Sequence, residues 1–316
     1  MKAGADLEQG VAAAGVSRSH HNPPLLYTLV GLMTLFWSAN FFIGKIALRE
    51  FPGPLAASLR LLIAALGMLP IYFWKTGGQR RWSWRDAPTL VFLGFVGVAI
   101  NQFCFIVGLS KTSVAHSSLI IGMTPIWVLL IAVARGLERM TPQKLGGMLI
   151  AFAGVAVLSM EKPPAGSPPG DGPTLAGDLI TFVGASAFAF YTVLGKEVNH
   201  RFGSVTVNTF LFGSGALILS PVMLLQGWSF PFARVSAAGW LSLLYMGIFP
   251  SLVCYLIFYY ALGYVAASRL SALSYLQPVA ATALAAVFLG ERISALLLAG
   301  GAVIFTGVYL TERGRC

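Results

Sequence analysis

Ten stretches of about twenty mostly apolar residues, separated by short polar segments, leave this sequence few folds to choose from. A bilayer core about 30 Å thick is crossed by about 20 residues of helix, so each stretch has the length of a membrane span. They run Leu25–Gly44, Pro54–Trp74, Pro88–Leu109, Val114–Ala134, Leu145–Met160, Leu175–Gly195, Val205–Leu225, Ala238–Leu262, Ala266–Leu289 and Ala295–Thr311. A water-soluble reading fails on the same grounds. Only 10% of the 316 residues are charged and 57% are hydrophobic, whereas a soluble exterior takes roughly 25% charged residues. The first apolar run is too long for a signal-peptide core and lacks a cleavage site, so it is read as the first span.

Fourteen of the 21 Lys and Arg fall in alternate segments beginning with the N-terminal one, six fall in the others, and Arg60 lies inside the second run. Basic residues beside spans stay on the cytoplasmic side, which predicts both termini there. The net charge of +10 therefore reports topology, and binding to nucleic acid is excluded as its explanation. Three cysteines, two of them inside apolar runs, form neither a disulfide framework nor a metal-ligand spacing. No cofactor and no metal are expected.

Sliding the chain by 153 positions (247 minus 94) brings Gly94 onto Gly247, Phe105 onto Phe258, Pro125 onto Pro278, Glu138-Arg139 onto Glu291-Arg292, Gly147 onto Gly300 and Gly154 onto Gly307. Near the start of each half, Gly44-Lys45 matches Gly195-Lys196 at an offset of 151 (195 minus 44). Apolar sequence matches itself by chance at Leu, Ala and Phe, but paired Pro and Glu-Arg are much harder to obtain that way. The prediction is an all-α integral membrane protein with ten transmembrane helices as two five-helix repeats. Because each unit has an odd number of spans, the second enters the membrane inverted. The expected layout is a tail over 1–24, a first repeat over 25–160, an external linker over 161–174 with five prolines and three glycines, a second repeat over 175–311 and a tail over 312–316.

Gly290-Glu291-Arg292, Leu137-Glu138-Arg139, Pro125, Pro278 and Ser58-Leu59-Arg60-Leu61 resemble the EamA-type members of the drug/metabolite transporter superfamily, over nearly the whole chain from Leu25 to Thr311. The resemblance implies a bacterial inner-membrane carrier that exports small metabolites, with exporters of amino acids, aromatic ones included, among its relatives.

In an inverted-repeat carrier the solute site lies near the midplane between the halves, so polar groups deep in the spans carry the information. These are Trp37 and Asn40 on one helix face, Asn101 and Gln102, Tyr191, the stripe Ser251, Tyr255 and Tyr259, and Ser271, Tyr275 and Gln277 beside Pro278. Trp37, Asn40, Asn101, Gln102, Tyr191, Tyr255, Tyr259, Tyr275 and Gln277 are the candidate substrate-binding set. Asn or Gln in a span also serves as glue between helices, which for several of these is an equal alternative. Trp74, Trp82, Trp84, Trp228 and Trp240 read as interfacial belt residues.

Pro125 and Pro278 are expected kink points, and Lys45 and Lys196 repeat-related gate residues or interface anchors. His116 reads as a wetted or capped histidine at the outer end of the fourth span. Arg60, about 9 Å along its helix from Pro54 at 1.5 Å per residue, reads either as a partner for a substrate carboxylate or, favoured, as a structural charge that snorkels outward. Glu138 and Glu291 are structural charges as well. Gly147, Gly154, Gly300 and Gly307 suggest close helix contact, as scaffold or as the face of a homodimer.

None of the eleven acids lies at mid-membrane depth, so a buried carboxylate that a proton or a cationic drug could neutralise is missing. The expected partners are the lipid bilayer and a small neutral or zwitterionic solute such as an amino acid. Drug export and carriage of nucleotides or phosphorylated metabolites are the alternatives within transport; the latter needs several deep cations and only Arg60 qualifies. A channel shares the fold argument. An integral-membrane enzyme needs a cluster of Asp, His or Ser that the sequence does not display.

Overall fold

The computed structural model describes residues 23–77, 82–136, 139–158, 160–162, 172–264, 270 and 276–313. Tyr275, Ser271 and Glu138 fall outside them, as do most of the linker and both tails. The described residues are helical, with no strand among them. The elements are α1 (Pro23–Leu48), α2 (Gly53–Thr76), α3 (Ala87–Leu109), α4 (Val114–Ala134), α5 (Pro142–Leu158), α6 (Leu175–Phe202), α7 (Ser204–Gly227), α8 (Ala237–Leu262), α9 (Leu276–Phe288) and α10 (Ala295–Arg313). Among the described residues seven helices, α1 to α4 and α6 to α8, are long and apolar enough to cross a bilayer, and α5, α9 and α10 are shorter apolar helices. A chain in lipid must satisfy its own backbone, and helix does so within one segment.

Local sequence sets the ends. Ser113 caps α4 by accepting from the His116 N–H, Thr174 caps α6 from Gly177 N–H, and Ser236 caps α8 from Gly239 N–H. Gly203 alone joins α6 to α7 at φ 79°, a conformation that favours glycine. Leu66, Leu217, Leu225 and Trp228 are exposed on the outside, as suits helices that face lipid and its interface.

Two of the long helices contain a π-helical turn, Phe95–Ile100 in α3 and Gly247–Val253 in α8. In α4 the helix is interrupted at Met123, just before Thr124-Pro125. Pro278 sits near the start of described α9, and a Cβ on Gly122 would lie 3.1 Å from its ring, so α4 and α9 cross beside these two prolines.

The packing pairs helices across the chain. α5 lies along α10 and α2 along α7; α1 packs on α8 and α9, whereas α6 packs on α3 and α4. The α5–α10 contact is the closest. A Cβ on Gly147 would stand 2.6 Å from the Gly307 carbonyl oxygen, and one on Gly154 would stand 2.9 Å from that of Gly300. The four glycines thus make the close helix contact expected of them, within the chain and as scaffold.

Candidate functional site

A cavity of about 70 Å³ lies where the helices before the linker meet those after it. Its wall is formed by Trp37, Asn40 and Phe41 of α1, Arg60 of α2, Asn101, Gln102 and Phe105 of α3, Ile121 and Thr124 of α4, Phe188 of α6, Tyr255 of α8 and Gln277 of α9. Of the candidate binding residues, Trp37, Asn40, Asn101, Gln102, Tyr255 and Gln277 line it. Tyr191 and Tyr259 do not. Both are buried behind the wall, with Tyr191 tilted against Tyr255 at 5.4 Å between ring centroids and Tyr259 edge-on to Tyr191 at 4.9 Å.

The aromatic part of the wall is held by ring contacts. Trp37 meets Tyr255 edge-on at 6.1 Å and Phe188 at 5.9 Å, and Phe41 meets Phe105 at 5.2 Å. Trp37 is further fixed because its indole N–H donates to the Pro250 carbonyl, 3.0 Å away in the π turn of α8. Phe41, Phe105, Ile121, Thr124 and Phe188 were not singled out from the sequence. Phe41 follows Asn40 and Thr124 precedes Pro125, but nothing in an apolar run marks which Phe faces inward.

A directed chain of hydrogen bonds orders the polar part. The Asn101 side-chain amide donates to the Gly184 carbonyl oxygen at 2.9 Å, which turns its own oxygen toward Tyr255. The Tyr255 hydroxyl donates to that oxygen at 3.0 Å and accepts from the Gln102 amide nitrogen at 2.7 Å. A backbone carbonyl has no freedom to swap roles, so it fixes the direction of every link after it. The remaining oxygen of Gln102 is left as an unpartnered buried acceptor.

Arg60 is corrected by the structure. It does not snorkel: it is 1% exposed and lines the cavity. Its Nε donates to Ser251 Oγ at 2.7 Å, Ser251 in turn donates to the Met246 carbonyl, and its Cζ sits 5.7 Å over the Phe105 ring. One terminal nitrogen, Nη1, has no partner. Among the described residues no Asp or Glu lines the cavity. Asn40 Oδ1 is likewise buried without a partner. Three orphaned polar groups, one cationic donor and two amide acceptors, therefore belong to residues of the same wall, and buried polar groups in folded proteins are seldom left so.

A second polar group of residues lies at the start of α4. His116 is 1% exposed, not wetted, and its ring stands between Asp178 (Nδ1 to Oδ2, 3.0 Å) and Glu161 (Nε2 to Oε2, 3.1 Å). Thr112 donates to the other Asp178 oxygen at 2.6 Å. Glu291 receives the Val114 and Ala115 N–H groups at the start of α4, where a carboxylate complements the helix end. Burial pushes the Glu291 carboxyl up from its ordinary range, and those N–H groups together with the charge of Lys45 oppose the rise. Lys45 is buried in the last turn of α1; Lys196 is half-buried on α6, which runs on to Phe202 instead of ending at Gly195.

The EamA-like transporter family matches residues 25–160 and again 175–313. The chain belongs to that family. Among its relatives, an "uncharacterized transporter" of Archaeoglobus fulgidus is 28% identical over 90% of this chain and 96% of its own. A "probable terminal-alkyne amino-acid exporter" of Streptantibioticus cattleyicolor is 28% identical, covering 89% of this chain and 91% of its own, and a "probable amino-acid metabolite efflux pump" of Salmonella typhimurium is 26% identical, covering 90% and 93%. One solved crystal structure of a protein 20% identical shares the fold with a TM-score of 0.64, over 92% of this chain and 96% of that one. The EamA assignment and the apolar helices make this a multi-pass membrane transporter.

Proposed function

We propose that the chain exports small zwitterionic metabolites, foremost amino acids with large or aromatic side chains, across a bacterial inner membrane by alternating access. In this reading it has ten spans in two inverted five-helix units, 25–160 and 175–311, with both termini in the cytoplasm. The contact pattern supports the two-fold relation. Gly147 meets Gly307 while Gly154 meets Gly300, and since Gly300 and Gly307 are the counterparts of Gly147 and Gly154, residue i meets the partner of j as j meets the partner of i. α1 on α8 and α9 mirrors α6 on α3 and α4 in the same way, and Gln102 bonds Tyr255, its own counterpart 153 positions on.

One observation carries the function: an aromatic-walled cavity built from both halves, whose wall residues carry buried polar groups without a hydrogen-bond partner. Two relatives are named for amino-acid export, which agrees with it. A cavity with room for about five waters, at roughly 10–15 Å³ each, is too tight for a large side chain until the halves rock apart. The test is reconstitution into liposomes and counterflow of labelled amino acids, cationic dyes and nucleotides. Saturable amino-acid uptake that unlabelled amino acid competes is expected. Uptake of dyes or nucleotides with none of amino acids overturns the reading.

A further inference from the structure

We propose that Arg60, Asn40 and Gln102 form a headgroup site for an α-amino acid, Arg60 Nη1 taking the carboxylate and the amide oxygens of Gln102 and Asn40 taking the ammonium. The inference rests on the reading that the cavity carries a solute, and it specifies which atoms of that solute are read. It starts from three groups whose hydrogen-bonding capacity the protein itself leaves unused. Arg60 offers a charged donor with no carboxylate on the cavity wall among the described residues, and a lone buried cation is among the costliest groups a membrane protein can hold. Gln102 Oε1 can only accept, because the chain from the Gly184 carbonyl through Asn101 and Tyr255 fixes its amide nitrogen as the donor to Tyr255. Asn40 Oδ1 is the second acceptor.

The complement of one cationic donor and two neutral acceptors is a molecule with an anionic acceptor at one place and a multiple donor at another. The α-carboxylate and α-ammonium of an amino acid meet that description in a single small unit. An ammonium at the amide oxygens would also face the rings of Trp37 and Tyr255, which attract cations. A phosphate ester would call for more cations than the single guanidinium on this wall, and a cationic drug would meet Arg60 with like charge.

The test compares three ligands of one shape in wild-type proteoliposomes: phenylalanine, 3-phenylpropionate and phenethylamine as competitors of labelled phenylalanine counterflow. The amino acid is expected to compete at least about 10-fold better than the acid or the amine, since each lacks a charge-assisted hydrogen bond worth that much or more. Arg60→Gln should raise the KM for phenylalanine about 10- to 100-fold and weaken competition by the acid while leaving the amine unchanged. Gln102→Met should weaken the amine and leave the acid unchanged. If the acid or the amine competes as well as phenylalanine in the wild type, or if folded Arg60→Gln keeps the wild-type KM, the headgroup site is overturned while amino-acid carriage stands. Absence of saturable phenylalanine counterflow in the wild type overturns both.

Discussion

Two neighbouring glycines in α5 should answer the same substitution with opposite signs. At Gly146 an added Cβ meets nothing within 4 Å. Ala is favoured over Gly inside a helix by about 0.5–1 kcal/mol, so Gly146→Ala should stabilise by that amount. At Gly147 the Cβ would stand 2.5 Å from Thr311 Oγ1 and 2.6 Å from both the Gly307 carbonyl oxygen and the Thr311 nitrogen. Non-bonded atoms prefer roughly 3.5–4.0 Å, and two of these three belong to backbone that no rotamer change can move. The helices must therefore part, which also loosens the Gly154–Gly300 contact; overpacking of this kind costs about 1–3 kcal/mol. Against the helical gain, Gly147→Ala should lose up to about 2.5 kcal/mol net, leaving the two variants about 1–3 kcal/mol apart. Thermal unfolding in one detergent, followed by tryptophan fluorescence, ranks them: Gly146→Ala above wild type, Gly147→Ala below. Should both move the midpoint in the same direction, the close α5–α10 approach is not the contact argued here.

Tyr255→Phe removes the hydroxyl between Gln102 and Asn101, leaving a donor and an acceptor unpaired at about 1–3 kcal/mol each; a lower melting midpoint and a raised KM are expected, and wild-type values of both would refute the directed chain. His116→Leu strands Asp178 with only Thr112 and should destabilise by about 3 kcal/mol, as breaking a buried pair does; an unshifted midpoint in chemical or thermal unfolding would contradict that pairing. Glu50 is held below the ordinary carboxylate range first by the Ser236 hydroxyl and then by the Ser236 N–H at the start of α8. A depressed folded pKa adds stability that is present above the unfolded value and lost as pH falls through the folded one. Wild type should therefore lose more stability than Glu50→Gln between pH 5 and the acid limit, near the carboxylate range of about 4. Parallel melting curves against pH would count against it.

How far the sequence revealed this structure depends on which force set each feature. Lipid thickness sets apolar length, so α4 spans Val114–Ala134 as expected, bounded by the Ser113 cap and Arg135. The same signal stops short in α6, because Lys196, Glu197, Asn199 and His200 continue the helix beyond the apolar run; hydropathy measures the membrane, not the helix. The cavity was legible in Trp37, Asn40, Asn101, Gln102, Tyr255 and Gln277, since an amide deep in lipid must face inward. Arg60 was visible as a charge, but whether it turns outward or in is decided by Ser251, 191 positions away. His116 was misjudged for the same reason: its partners Glu161 and Asp178 arrive from the linker and from α6. Tyr259 has the depth and the spacing of a wall residue, yet its ring turns to Tyr191.

A π turn holds more residues than the α turn it replaces, so the side chains after it are phased differently from those before. Helix α8 is in effect two segments with separate angular origins, joined at 247–253. Deleting a single residue there would restore an unbroken α-helix with the side chains beyond it facing as they do now, because a π turn absorbs one residue more than an α turn. Tyr255 would stay on the cavity wall, while the Pro250 carbonyl that accepts from Trp37 would be drawn back into the helix ladder. Along this helix, the turn therefore matters for the carbonyl it releases, and a related chain without it can keep each of these side chains on the wall and still lose the anchor of Trp37.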